Sequence, residues 1–390
     1  MIHPIPDGKG VGFTANQPQN YSGYDYRPIG RHHNYHFSAQ NTAWPERIFT
    51  PIGIVIDAFS PNLNKHLHVG HLRNLAIANS LYQIFRHANT RADFVAFLGC
   101  SLGIEPGAEE ELIAWFSFLE YAPKIYRDVE ISEQHPIEGV PGQGEYAGCL
   151  VWPGTKHPAV LRRSDGRTTY AYHDLAFAKA IGPTHYLTGS EQFEHFANIG
   201  LADKHLPMGL VLDPKTGKKM KSRDGTALNA EQAVQLVIDR LDPTPNPRQL
   251  AWNITAWNFL RVNRSKDVAF DVDQWIRPEA PGLYITYTYA RLISAIQGIT
   301  PSSAEEPQEN DVLLSGFCSY LTHYLQKTID QMDPSHVAGY AHELAKKLNL
   351  AYHRERIKDG RPAFQKAICQ GAATLKQCIQ YLGMFPLEKV

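Results

Sequence analysis

Ile52–Gly–Ile–Val–Ile–Asp57 is a short β-branched run, and Asn64–Lys–His–Leu–His–Val–Gly–His71 follows it after a brief loop. The first run is typical of a strand buried on both faces. From His71 to Arg86, apolar residues recur at Leu72, Leu75, Ala76, Leu81, Ile84 and Phe85, which is helical spacing. Strand, loop and helix in this order open a nucleotide-binding βα unit. The loop ends where the helix begins, and a helix N-terminus offers N–H groups and a positive dipole end suited to phosphate. Gly70 leaves room for a nucleotide to approach the backbone. His68 and His71, three apart, can both face a triphosphate and donate hydrogen bonds as negative charge builds on it. Without a ligand the same pair would read as helix-cap histidines. A zinc site would need further Cys or His at suitable spacing, and none stands out.

Outward from this unit, residues 1–48 are rich in Asn, Gln, Tyr, His, Pro and Gly and lack a periodic apolar pattern, which predicts an extended polar arm. Its His32, His33 and His36 read as part of a solvated tract rather than as metal ligands. Short apolar runs at Cys149–Trp152, Thr168–Tyr172, His185–Thr188 and Met208–Leu212 predict strands of an α/β domain over residues 49–245. Pro, Gly and Glu break the pattern between Tyr121 and Gly148, which predicts an insertion, within residues 100–150, across the sheet edge. From 246 onward strand signals disappear. Helical patterns run through Leu283–Ile296, Val312–Ile329, His336–Arg356 and Ala363–Leu382, so residues 246–390 are predicted to form an all-α bundle.

Composition bounds the partners. A chain of 390 residues exceeds what one core usually organises, and two domains are expected. Hydrophobic content of 43% and charged content of 20% describe an ordinary globular protein. With a net formal charge of −1, a polynucleotide would have to be held by local basic patches. The five cysteines are scattered and never form a CxxC pair, which argues against a disulfide framework or cysteine zinc site and fits a reducing compartment. Neither a signal-peptide pattern nor an apolar run long enough for a bilayer is present, so a cytoplasmic protein without a membrane partner is expected. There is no GxxxxGK[ST], and Gly142–Gln–Gly144 lacks the spacing and the preceding strand of a dinucleotide fingerprint.

Lys218–Lys–Met–Lys–Ser–Arg223 follows an apolar run and a turn at Gly217. Lysines on a flexible loop can follow a migrating pyrophosphate, although alone they would read as a solvated hairpin. Together, His68–Val–Gly–His71 and Lys219–Met–Lys–Ser–Arg223 resemble the HIGH and KMSKS motifs of class I aminoacyl-tRNA synthetases. Ser60–Pro–Asn–Leu–Asn–Lys–His–Leu–His–Val–Gly–His–Leu–Arg73 is similar to the SPNxxKPLHVGHLR stretch of the arginyl enzymes. In that family the second KMSKS lysine is often absent and a lysine before HIGH compensates. Here Ser222 stands at that position and Lys65 precedes HVGH. Ser164–Asp–Gly–Arg–Thr–Thr–Tyr–Ala–Tyr–His–Asp–Leu–Ala176 is similar to the family's SDGxxxYxTxDLA, and Gln192–Phe–Glu–His–Phe196 to its QxxHF. Tyr284–Ile–Thr–Tyr–Thr–Tyr–Ala–Arg291 is similar to the YVQYAHAR that opens its anticodon-binding bundle. The resemblance covers residues 50–390 in the family's order.

The resemblance implies a Rossmann-like catalytic domain with a parallel sheet, followed by an all-α anticodon-binding-type bundle. It implies ATP with Mg²⁺, L-arginine and tRNA as partners, with arginine adenylated and then passed to the tRNA 3′ end; a monomer is favoured. By matching positions, Lys65, His68, His71, Lys219 and Lys221 would stabilise developing charge. His68, Gly70, His71, Lys219, Met220, Lys221 and Ser222 would hold ATP. Ser60, Asn62, Glu133, Tyr170, Asp174 and Gln192 would bind arginine, with Asn62 on its backbone atoms and Glu133 on its α-amino group. Asp174 suits a guanidinium because the two groups pair bidentately; its alternative is a helix N-cap before Leu175–Ala–Phe–Ala. Tyr287, Arg291, Arg354 and Arg356 would meet tRNA, within a basic stretch that continues through Lys358, Arg361 and Lys366 beside Tyr352 and His353. A solvated helix end is the alternative there. The chain departs from the family in three places. The polar arm stands where a further domain is usual, Phe97–Leu–Gly–Cys–Ser–Leu–Gly103 replaces GDWG, and Thr286 and Tyr289 replace Gln and His. Two other readings stay open: a paralogue adenylating arginine or an analogue for a non-tRNA acceptor, and a non-catalytic RNA-binding paralogue.

Overall fold

The computed structural model describes residues 53–88, 92–220, 228–277, 279–300 and 305–390 in full, and the backbone of four strands before them. Two compact units emerge, one of Thr50–Asp239 with Val262–Val272, the other of Met1–Phe49, Arg240–Arg261 and Asp273–Val390.

The first unit is built on five parallel strands in the order His205–Met208, His185–Gly189, Ile54–Asp57, Ala92–Leu98, Lys124–Arg127. Ile54–Asp57 is central, with Asp57 opposite Val95 on one side and Tyr186 on the other. Its β-branched run is thus explained by a strand covered on both faces. The chain first winds from the centre toward Lys124–Arg127, then crosses back to fill the other side. The order therefore reverses between Ile54–Asp57 and His185–Gly189, and in open parallel sheets the crevice beyond such strand ends is where ligands bind. The helix Val69–His87 leaves the central strand and buries Leu72, Leu75, Ala76, Leu81, Ile84 and Phe85, the residues whose spacing predicts it. On the helix Tyr170–Ala180, Phe177 stacks on Phe97 of the sheet at 4.1 Å between ring centroids.

Three expectations change. Lys124–Arg127 is the edge strand of the main sheet itself, not part of an insertion across that edge. Beyond it in the chain, Val140–Pro141, Leu150–Trp152 and Ala159–Arg162 form a small antiparallel sheet. Thr168–Tyr172 is not a strand: Thr168 bridges back to Arg162, Thr169 is the helix N-cap, and Tyr170 starts the helix. The two β-branched threonines only prolong the extended backbone after the Gly166 turn. At the N-terminus, Ile2–Pro4, Gly10–Ala15, Asp25–Ile29 and His32–Ser38 pair antiparallel, where an unpaired arm is predicted. The alternation of Tyr35 and Phe37 with Asn34 and His36 is a period-two signal that composition hides.

A buried arginine braces the first unit. Arg73, fully buried on the first helix, donates to the carbonyls of Leu210, Arg264 and Lys266. Val211–Leu212 pairs parallel with Val268–Ala269 beside it, and Arg264 donates to Pro207 O at 2.6 Å. A Cβ at Gly209 would lie 2.2 Å from Lys266 O, so only glycine permits this approach.

Besides the four N-terminal strands, the second unit is built of the helices Pro247–Leu260, Pro281–Ile296, Glu309–Ser319, Leu321–Gln331, Ser335–Arg354 and Pro362–Tyr381. The predicted single helix over 312–329 is two, meeting at Tyr320. There the carbonyls of Phe317 and Cys318 accept the Tyr340 hydroxyl at 2.9 and 3.1 Å. Asn253 exchanges two 2.7 Å hydrogen bonds with the backbone of Phe385, which ties the C-terminal segment to Pro247–Leu260. No helix among the described residues is long and apolar enough to cross a membrane.

Replacing Arg73 by Met would leave three carbonyls without these donors. Urea denaturation of the Arg73→Met variant should show roughly 3 kcal/mol less unfolding free energy than the parent chain; an unchanged midpoint would remove Arg73 as a brace.

Candidate functional site

A cavity of about 620 Å³ opens at the C-terminal ends of the parallel strands. It gathers Ser60, Asn62, Lys65, His68, Gly70, His71, Tyr170, Asp174, Gln192, Lys219 and Met220, residues that lie far apart in the chain. Glu133 is not among them: it is exposed on the short helix Asp128–Gln134 and does not line the cavity. Lys221 and Ser222 lie outside the described residues.

His68 is the N-cap of the first helix, and its Nδ1 accepts from Gly70 N–H at 3.1 Å. In return, Nδ1 of His71 accepts from His68 N–H at 3.1 Å, completing a capping box made of two imidazoles. The rings stack 3.8 Å apart. Because each Nδ1 is an acceptor, each neutral ring carries its proton on Nε2, as a donor. Burial, then Lys65 and Lys219, lowers the pKa of His68 to about 4. Burial, His68 and the same lysines hold His71 well below the usual imidazole range. Capping and cavity lining, alternatives in the sequence, thus coexist: backbone N–H groups take both Nδ1 atoms and set the tautomer of each ring.

The loop before the helix is pinned to the sheet. Leu63 N–H donates to Gly99 O at 2.8 Å, and Gly99 N–H donates to Pro61 O at 3.2 Å. A Cβ at Gly99 would lie 1.9 Å from Asn62 Oδ1, so a glycine here keeps Asn62 in place. Ser60 donates to Asp57 and accepts from Phe97 N–H at 2.8 Å. Asp57, which sequence reading treats only as the end of a strand, is a buried carboxylate in the cavity. Burial pushes its carboxyl up to about 7, Ser60 opposes that shift and Asp174 adds to it. Its position at the end of the central strand is the signal that could have marked it.

The lysine segment is held at both ends. Val211–Met220 forms a tight hairpin, with Met220 N–H on Val211 O at 3.1 Å and a turn at Gly217. Lys219 Nζ pairs with Glu191. Beyond residues 221–227, Val69 N–H donates to Leu228 O at 3.0 Å and Ala230 N–H to Leu67 O at 2.9 Å. From Leu228 onward the chain is thus bound to the HVGH turn.

Four carboxylates line the cavity among the described residues: Asp57, Asp128, Asp174 and Glu191. Asp128 accepts from the N–H groups of Cys100, Ser101 and Val129, and Glu191 holds Lys219. Asp174 lies a full turn inside the helix Tyr170–Ala180, so it is not its cap. Its Oδ2 accepts from His195 Nε2 at 2.6 Å. Tyr170, half exposed, stands one turn before it.

In the helical unit, Tyr287, Arg291 and Arg356 meet at a second cleft, with Tyr352 and Lys358. The Arg291 guanidinium lies 3.8 Å from the centre of the Tyr352 ring, a cation–π contact. Arg354 does not line this cleft and reaches Asn310 instead, at 3.4 Å. Arg361 is engaged by Asp311 and Glu355 and so is not part of a basic surface stretch.

Comparison with known proteins matches a DALR anticodon binding domain to residues 285–390. An arginine–tRNA ligase of Streptococcus thermophilus is 26% identical over 450 aligned positions, covering 85% of this chain and 79% of the relative. One from Streptococcus pneumoniae is 24% identical, covering 91% of this chain and 82% of its own. The arginyl-tRNA synthetase structure of Thermus thermophilus superposes with a TM-score of 0.67 at 17% identity, covering 95% of this chain and 89% of that one. The chain is thus a relative of the arginine–tRNA ligases along most of its length.

The histidine box has a signature in stability. Below the unfolded imidazole value the unfolded chain takes up protons that folded His68 refuses, so stability falls as pH drops from 6.5 toward about 4. Asp57 acts with the opposite sign over this range, because its folded carboxyl holds its proton up to about 7. A His68→Asn variant keeps a capping side chain but removes one titration. Its loss of unfolding free energy between pH 6.5 and 4.5 should be about 2 kcal/mol smaller than the parent's, measured by chemical denaturation. Equal losses would show that His68 is not held neutral.

Proposed function

We propose that this relative of arginine–tRNA ligases activates L-arginine with MgATP and transfers it to the 3′ end of tRNA. The observation that carries this reading is one cavity with two characters. One group is electropositive and rich in donors: Lys65, His68, His71 and Lys219. The other holds Asp57 and Asp174, the two lining carboxylates not taken up by backbone N–H groups or by Lys219. Arginine carries two cations and one carboxylate, and ATP carries a polyanion, so the two substrates together complement that division.

In the first step the arginine carboxylate attacks the α-phosphorus of ATP, a P–O bond to pyrophosphate breaks, and arginyl-adenylate forms. Magnesium enters with the nucleotide as part of the substrate. The neutral Nε2–H groups of His68 and His71 are oriented in advance by the helix backbone, and pre-aligned donors are worth most where charge develops. Lys65 and Lys219 add positive charge for the leaving pyrophosphate. Asp174 takes the guanidinium and Asp57, rather than the exposed Glu133, the α-ammonium. Asn62, held against Gly99, fixes the reacting end. In the second step a ribose hydroxyl at the tRNA 3′ end attacks the adenylate carbonyl and AMP leaves. Neither step needs a protein nucleophile. Tyr287, Arg291, Tyr352 and Arg356 offer stacking faces and positive charge to unpaired bases, in keeping with the match to an anticodon binding domain.

Charging of total tRNA with arginine, followed together with ATP–pyrophosphate exchange, tests the reading. Stable arginyl-tRNA is the expected product; exchange without charging would point to a different acceptor, and neither activity would overturn the proposal. His71→Asn, which keeps a side-chain acceptor but loses the Nε2–H, should lower the exchange rate by roughly 100-fold with the fold intact by circular dichroism. Asp174→Asn should raise the arginine KM by about 100-fold while the ATP KM stays put. Equal effects on both substrates would refute that pocket.

A further inference from the structure

Asp174 and His195 come from different elements, the helices Tyr170–Ala180 and Phe193–Asn198, on either side of the strand His185–Gly189 in sequence. Both line the cavity, with side chains 23% and 31% exposed. The 2.6 Å bond from His195 Nε2 reaches only Oδ2 of Asp174. A carboxylate has about four lone-pair sites, so one imidazole N–H leaves Oδ1 and part of Oδ2 open. That remainder matches the two parallel N–H groups a guanidinium presents. The imidazole is steadied in turn. Phe196, next to it, stacks on His205 at 4.9 Å, and His205 Nε2 meets Thr188 Oγ1 at 2.9 Å.

Asp57 shows the contrast. Its partner in the cavity is the Ser60 hydroxyl, which also accepts from Phe97 N–H. A hydroxyl can turn with its ligand, whereas a ring nitrogen on a short helix holds one direction.

We propose that His195 is a positioning residue for arginine selectivity, an Nε2–H donor that fixes the carboxylate plane of Asp174 for a bidentate guanidinium. The proposal rests on the arginine reading above and goes beyond it in assigning the source of side-chain discrimination. A permanent cation on Asp174 would cancel the charge that the guanidinium has to find, and no donor at all would let the carboxylate rotate out of register.

The test uses the full chain and arginine-dependent ATP–pyrophosphate exchange, with citrulline as the uncharged isostere of arginine. His195→Ala should raise the arginine KM by about 10-fold, with kcat within a few-fold and the ATP KM unchanged. His195→Gln, whose amide can offer one N–H from nearly the same place, should restore most of that loss. His195→Lys should raise the arginine KM by about 100-fold and shrink the preference for arginine over citrulline by a similar factor. An unchanged arginine KM in His195→Ala overturns the proposal. So does a parallel loss in kcat and ATP KM, which would mark a scaffold role, or a Gln variant no better than Ala. If the parent chain gives no arginine-dependent exchange, the arginine reading itself fails and the proposal falls with it. Exchange in the parent with an unaltered KM in the variant sinks the positioning role alone.

Discussion

The first turn of a helix must find acceptors for its N–H groups, and in this chain two imidazoles supply them. That single requirement organises much of the first unit. His68 and His71 cannot satisfy Gly70 N–H and His68 N–H without committing Nδ1 as the acceptor, which leaves Nε2 as the donor of each neutral ring. The ring stack, the neutral charge state and the donor direction all follow from the cap. Leu67 and Val69, on either side of His68, pair with Ala230 and Leu228, so the same turn anchors the return of the lysine segment. One residue after Leu72 on the same helix, Arg73 fastens the far side of that segment through Leu210, Arg264 and Lys266.

Around this turn the cavity separates charge of opposite sign over a short span. Burial, with Lys65 and Lys219 adding to it, depresses the histidines, while burial, with a smaller contribution from Asp174, helps keep a proton on Asp57. Such opposed perturbations are costly to maintain in an empty site and are relieved by ligands of complementary charge. An anionic phosphate against the lysines and cations against the aspartates would each lower the electrostatic free energy of the cavity.

Much of this is legible in the sequence. The strand at Ile54–Asp57, the helix after it, the helical C-terminal half and the positions of Asn62, Lys65, His68, His71, Tyr170, Asp174, Gln192 and Lys219, which line the cavity, lie in continuous patterns or short motifs. Each feature that failed to show had a physical reason. Lys124–Arg127 is a polar edge strand, whose sequence carries little of the apolar signal of a central one. The helix break at Tyr320 depends on a hydroxyl from Tyr340, a residue on another helix. Glu133 and Asp57 are both carboxylates near the right motifs, and only the sheet decides which of them faces inward. Arg354 and Arg361 look alike in a basic run, yet one reaches an Asn and the other closes an ion triad with Asp311 and Glu355.

The sequence by itself determined the strand, turn and helix that open the first unit, the resemblance to the arginyl enzymes and the division into a sheet-based part and a helical part. It could do so because those features rest on local periodicity and on residues a few positions apart. The tertiary structure alone decided which carboxylates share the cavity and which histidine holds Asp174. Those outcomes are set by hydrogen bonds between residues brought together by strand order and helix packing, where separation along the chain carries no information about distance.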